Sequence, residues 1–197
     1  MSDTAFERGT DPHRTGPAGG HDADGPSFAQ PTASDGAAIW RLVRTGGTLE
    51  PNSAYAYVLT GAHFGATSVV ARRHGEIAGF VWAYRLPDRP DTVFVWQIGV
   101  AESSRGLGLG SAMLREILHR PACGGVSFLE ATVTPSNAAS MALFRGFARR
   151  QGCAFDLSAG FDSRLFPDPK HESELLVRIG PIPARMRTGN NPKEAIS

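Results

Sequence analysis

The chain has 197 residues, 41% of them hydrophobic, and a formal net charge of +1. That is enough for one domain with a real core, since domains commonly run to about 100–200 residues. The near-zero charge carries no footprint of a nucleic-acid or membrane-surface protein, and no apolar run reaches the ~18–20 residues of a membrane span. Two cysteines, Cys123 and Cys153, form neither a metal spacing nor a disulfide framework, which fits a reducing cytosol and a cytoplasmic protein.

Residues 1–26 are rich in Gly, Asp, Pro and His and have no hydrophobic period. They cannot bury enough apolar surface to offset their ordering entropy, so a disordered tail is expected, with His13 and His21 solvated. The segment also lacks the apolar core of a signal peptide. Residues 183–197 form a second expected tail, leaving 27–182 as the folded domain.

After a short first strand, SDGAAIWRLVRTGG has a polar start at Ser34/Asp35, apolar positions Ile39, Leu42 and Val43, and a Gly-Gly stop, which predicts a helix. NSAYAYVLTGAHFG predicts a second helix beginning near Asn52 or Ser53. TSVVARR and EIAGFVWAYRL are two strands, turned at His74-Gly75. TVFVWQIGVA, apolar almost throughout, is a third strand, central in a sheet covered on both faces. GLGSAMLREILHR is a helix, VSFLEATVT a strand and NAASMALFRGFARR a helix. CAFDLSA and SELLVRIG close the fold as an antiparallel pair, joined by the excursion GFDSRLFPDPKHE. The class is therefore α/β: a mixed, mostly antiparallel sheet flanked by helices, with one βαβ crossover in its middle.

At that crossover the third strand runs into SSRGLGLGS and then a helix. Such a junction collects unpaired backbone N–H groups and a positive helix end in one concavity. Gly106, Gly108 and Gly110 remove side chains, so phosphate oxygens can approach those N–H groups, and Arg105 adds a charged donor. A dinucleotide fingerprint needs G-x-G-x-x-G on the first strand, and a nucleotide-hydrolysing loop needs G-x-x-x-x-G-K-[ST]; neither is present.

The run Arg105-Gly106-Leu107-Gly108-Leu109-Gly110 reads R-x-x-G-x-G and resembles the pyrophosphate loop of the Gcn5-related N-acetyltransferases. Asn137, Ser140 and Leu143 resemble the N-x-x-A/S-x-x-L-Y pattern of the same superfamily. The resemblance implies acetyl-CoA as cosubstrate, no metal, and a coenzyme site formed by Ile98, Val100, Arg105, Gly106, Leu107, Gly108, Gly110, Ser111, Asn137 and Phe144. Asn137 can equally serve as a plain helix cap. The tyrosine that usually ends the second pattern and protonates the departing thiolate is Phe144 here; Tyr55, Tyr57, Tyr84 and water are the other candidates for that role.

Longer stretches, among them TSVVARRHGEIAGFVWAYRLPDRPDTVFVWQIGV, FLEATVTPSNAASMALFRGFAR and HESELLVRIGP, resemble the L-2,4-diaminobutyrate acetyltransferases of ectoine biosynthesis over roughly residues 28–182. This implies acetylation of the substrate's 4-amino group, giving the precursor that cyclises to ectoine, and a homodimer. A diamino acid asks for acidic residues and for a carboxylate partner. Asp35 is an acidic candidate, or a first-turn acid favoured by the helix dipole. Glu172 in the excursion is a second, and Asp162 a third. Asn52 and Tyr55 are candidates on the second helix and its approach. Trp82 and Trp96 are core residues by default, although Trp82 could wall the substrate and hold an ammonium by cation–π contact. Arg85, Arg164 and Arg178 compete for the substrate carboxylate. His63, His74 and His119 read as surface or loop residues. Glu172 or His171 is the candidate base, and the Val100 N–H the expected oxyanion donor. A covalent route through Cys123 or Cys153 lacks any activating pattern. The rival readings are an acetyltransferase for another amine, and a non-catalytic acyl-CoA-binding module.

Overall fold

The structure, a computed structural model, describes residues 25–47 and 51–186. Most of the two expected tails, at residues 1–24 and 187–197, lies outside the described residues, and so do His13 and His21.

The elements follow in the expected order: β1 (Ser27–Ala29), α1 (Gly36–Gly46), α2 (Ala54–His63), β2 (Val69–Arg73), β3 (Glu76–Leu86), β4 (Arg89–Val100), α3 (Leu109–His119), β5 (Phe128–Val133), α4 (Ala138–Gln151), β6 (Ala154–Ala159) and β7 (Leu175–Gly180). β4 begins three residues before the predicted start, because a tight hairpin pairs Leu86 with Arg89. The strands form one sheet ordered β1-β2-β3-β4-β5-β7-β6. Every pairing is antiparallel except β4 with β5, the two strands joined by the α3 crossover.

Strand alternation gives the sheet two apolar faces. Val69, Ala71, Val81, Val93, Val95 and Leu129 pack with Met113, Leu114, Ile117 and Phe147 of α3 and α4. Val70, Phe80 and Trp82 pack with Ile39, Val43 and Tyr57 of α1 and α2. In α3, Met113, Leu114, Ile117 and Leu118 are fully buried. Each contributes roughly 1.5–3 kcal/mol, which outweighs the roughly 1 kcal/mol cost of Gly110 inside the helix. The glycines at its N-terminus are therefore tolerated on a helix anchored elsewhere.

Two irregularities open the site. Trp82 lies opposite Gln97 and Ala83 opposite Val95, so Trp96 is an extra residue, a β-bulge. The bulge reverses the alternation: Val93 and Val95 face the α3/α4 core before it, and Ile98 and Val100 pack there after it. The β4–β5 pairing then stops at Val95↔Ala131, while β5 continues to Val133 in register with β7. Beyond Val95 the two parallel strands part.

Candidate active site

Two cavities share this parting. A cavity of about 400 Å³ is lined by Ile98, Gly99, Val100, the loop from Ser104 to Ser111 except Leu107, and Asn137, Ala139, Ser140, Leu143 and Arg150. One of about 520 Å³ on the other side includes Asn52, Trp96, Ile98, Thr134, Asn137, Ser140, Phe144, Asp168, His171 and Glu174 in its walls. Ile98, Asn137 and Ser140 belong to both, so the cavities are one cleft with a narrow middle.

The first cavity fits a diphosphate on a flexible arm. Gly106 and Gly108 each have φ +75°, in the left-handed region, and a Cβ at either would meet no protein atom within 4 Å. The space over these backbones is open to a ligand. Gly108 caps α3, leaving the first-turn N–H groups aimed at that space. Gly110 serves packing, since a Cβ there would stand 3.3 Å from the Leu143 methyls. Arg105 lines the cavity while one of its guanidinium nitrogens donates to the Gly46 carbonyl at 2.8 Å. Arg150, from the end of α4, supplies a second cation that reading the motifs missed. Leu107 departs from expectation: its side chain is 63% exposed and points to a separate surface hollow, so only its backbone belongs to the loop.

The β4 edge fits the arm. The Ala101 N–H donates to the Ala78 carbonyl at 2.8 Å. With Val100 opposite Gly79 and Ile98 opposite Val81, antiparallel alternation turns the N–H and C=O of Ile98 and Val100 away from β3, into the parting. Asn137 caps α4, its Oδ1 accepting from the Ser140 N–H at 3.0 Å. Cap and cleft residue are thus one.

The second cavity is acidic. Glu174, which sequence reasoning did not single out, is one of its lining residues. Burial raises the Glu174 pKa above the usual carboxylate range, against the lowering pull of His171 and a Thr132 hydrogen bond, while Glu172 adds a further rise. His171 lies with Nε2 at 4.0 Å from Glu174 Oε1. Its ring stacks on Phe166 with centroids 3.7 Å apart, and Nδ1 donates to the Glu172 carbonyl at 2.7 Å. Asp168 completes the acid set. Among the described residues, no Lys or Arg lines this cavity.

Several expectations are corrected here. Asp35 is outside the cleft: its carboxylate caps the first turn, accepting from the Thr32 N–H at 2.9 Å and pairing with Arg72. Tyr55 is 68% exposed on the outer side of α2, whereas Tyr57 is buried and accepts a hydrogen bond from the Asn52 N–H at 3.2 Å. Trp82 is fully buried in the α1/α2 core, 4.5 Å from Tyr57 and 5.3 Å from Phe80. The bulge puts Trp96, 47% exposed, on the cavity wall in its place. Glu172 is exposed and does not line the cavity; it accepts from the N–H and hydroxyl of Ser136. The candidate arginines are engaged elsewhere: Arg85 with the Pro90 carbonyl, Arg164 with Asp162, and Arg178 with Glu130, which Arg89 also grips at 2.6 and 2.8 Å. Asn52 lines the second cavity.

None of the chain's three tyrosines lines either cavity, and Phe144, 2% exposed, occupies the place next to the shared residues. Neither cysteine lines them; Cys123 sits in the core, its pKa pushed up to about 11 by burial. Among the described residues no group of three or more His, Cys, Asp or Glu could hold a metal ion, and no helix is long and apolar enough to cross a membrane.

Transfer of an acyl group from coenzyme A to an amine asks for a cleft divided in this way. Residues 38–147 match the acetyltransferase (GNAT) family. The chain is 48% identical over 155 residues to the L-2,4-diaminobutyric acid acetyltransferase of Marinococcus halophilus, covering 79% of this chain and 90% of that protein. It is 46% identical to its counterpart in Halalkalibacterium halodurans, covering 79% and 82%. Among solved structures it is similar to the diaminobutyrate acetyltransferase of Paenibacillus lautus in complex with L-2,4-diaminobutyric acid and coenzyme A. There the TM-score is 0.76 at 42% identity, over 80% of this chain and 95% of that one. The chain belongs to the acetyltransferase (GNAT) family and, within it, to the L-2,4-diaminobutyric acid acetyltransferases.

Proposed function

We propose that this enzyme transfers the acetyl group of acetyl-CoA to the 4-amino group of L-2,4-diaminobutyrate, giving the precursor of ectoine, by direct attack within one cleft. The observation that carries the reading is the acceptor cavity: among the described residues it has two carboxylates, no lining Lys or Arg, and a junction with a glycine-walled cavity at Ile98. Two ammonium groups match Glu174 and Asp168, with the exposed face of Trp96 alongside. The substrate carboxylate matches the neutral donors Asn52, Thr134 and Ser140.

The thioester supplies the acetyl group; the chain positions it and moves a proton. Glu174 accepts the proton released as the amine nitrogen bonds to the carbonyl carbon and the C–S bond breaks. Val100 lies only on the coenzyme side, so its N–H is assigned to the arm, and the carbonyl-polarising donor is the Ile98 N–H at the junction. No tyrosine protonates the sulfur. A thiol pKa near the ~8.5 of cysteine makes the thiolate a tolerable leaving group, which takes its proton from solvent.

An acetyl-transfer assay over a panel of amines tests the substrate. Diaminobutyrate should exceed ornithine, one methylene longer, by roughly 10- to 100-fold in kcat/KM. Equal turnover of ornithine, a polyamine or a peptide N-terminus would sink the assignment. The working environment is inferred to be the cytoplasm, in keeping with a chain that carries only two cysteines. A homodimer is inferred from the family, supported by the exposed apolar side chains Phe64, Phe161 and Leu165. Sedimentation should give twice the 21.0 kDa chain mass, and a monomer would refute it.

A further inference from the structure

The excursion from Gly160 to Glu174 forms one wall of the acceptor cavity through Phe166, Pro167, Asp168 and His171. Much of it is held by its own bonds: Asp162 with Arg164, Asp168 with the Lys170 N–H, and Ser173 with the Ser163 N–H. Glu172 is different. Its neighbours His171 and Glu174 line the cavity, whereas its own carboxylate turns outward and takes two hydrogen bonds from Ser136, with the backbone N–H at 3.2 Å. Ser136 immediately precedes Asn137, the α4 cap shared by both cavities.

We propose that Glu172 is a positioning residue: the Glu172–Ser136 clasp ties the acceptor wall to the coenzyme-side helix cap and so couples the two binding sites. The proposal rests on the acetyl-transfer reading above. Closing a wall of this length over a cavity has an ordering cost. A ligand along β4 that fixes Asn137 also fixes Ser136, and through the clasp it fixes the segment carrying His171 and Glu174. Part of that cost is then met before the amine arrives. Linkage makes the effect reciprocal, each ligand tightening the other by the same factor.

The test uses the intact enzyme, with coenzyme A itself as the non-reacting occupant of its site and diaminobutyrate titrated by calorimetry. Coenzyme A should tighten diaminobutyrate binding by about tenfold, within the range usual for coupled sites. In Glu172→Ala the tightening should vanish and KM for diaminobutyrate rise roughly tenfold, the weight of about one charge-assisted hydrogen bond. Its kcat should stay as in the parent, and the acid limb of its pH profile should persist, moved only toward lower pH because the Glu172 charge that adds to the rise at Glu174 is gone. Glu172→Gln, which keeps an oxygen acceptor, should restore most of the coupling, and Ser136→Ala, which keeps the backbone donor, should fall between. Coupling retained in Glu172→Ala overturns the proposal, and so does loss of the acid limb in Glu172→Gln, which would make Glu172 the base. Failure of the parent enzyme to acetylate any amine would sink the acetyl-transfer reading instead, with the coenzyme-dependent tightening still there to be measured.

Discussion

Gly108→Val is expected to weaken acetyl-CoA binding by at least about 100-fold, the equivalent of two lost charge-assisted hydrogen bonds, while the protein stays folded. Two effects have to be separated. Gly108 has φ +75°, and a residue with a Cβ in that region is strained by roughly 1–2 kcal/mol. No protein atom lies within 4 Å of the added Cβ, so the fold suffers only the strain. The ligand suffers more, because the branched side chain stands over the first-turn N–H groups of α3. Gly152→Val supplies the control: φ is +68°, its Cβ also meets nothing within 4 Å, and it caps α4 outside both cavities. The two variants should lose similar thermal stability, and only Gly108→Val should lose coenzyme affinity, as read by calorimetry. An unchanged dissociation constant for Gly108→Val would refute the phosphate loop.

That loop was legible in the sequence because its chemistry needs residues with no substitute: two positive-φ turns over open space demand glycine, and the helix start after them follows from periodicity. Asn137 was legible for a similar reason, since a cap has a fixed place relative to its helix. The acceptor side was not, because it depends on contacts between distant residues. Asp35 carries the marks of a substrate acid until Arg72, 37 residues later, is seen to take its charge. Trp82 and Trp96 exchange roles through a bulge that shifts the alternation by one residue, and nothing in FVWQIGV announces it. Tyr55 and Tyr57 lie two positions apart on a helix, which turns one outward and the other inward. In HESE, Glu172 and Glu174 are equivalent as text. They separate only when β7 and the excursion close, setting Glu174 half-buried in the cavity wall and leaving Glu172 at the surface on Ser136.

Glu174→Gln is the change expected to cost most, with kcat/KM falling by about 10²–10⁴, the usual worth of a positioned proton acceptor. The amide preserves shape but cannot take a proton. In the parent enzyme, burial holds the Glu174 pKa above the ordinary carboxylate range. The inactive, protonated form therefore persists to higher pH than for an exposed glutamate, and the acid limb of kcat/KM should lie correspondingly high. In Glu174→Gln that limb should disappear, and the residual rate should climb with pH as the free amine appears, toward an amine pKa near ~10. The loss should then shrink in alkali. Stability moves the other way. A carboxyl whose folded pKa is raised binds its proton more tightly folded than unfolded, so its ionisation opposes folding above the folded pKa, and that opposition is relieved as pH falls through it toward the unfolded value. At neutral pH the charge is a cost, and Glu174→Gln removes it. The variant should melt no lower than the parent at pH 7 while turning over far more slowly, a pairing that unfolding cannot produce. An intact acid limb in Glu174→Gln, or a rate near that of the parent, would show that the proton leaves by another group.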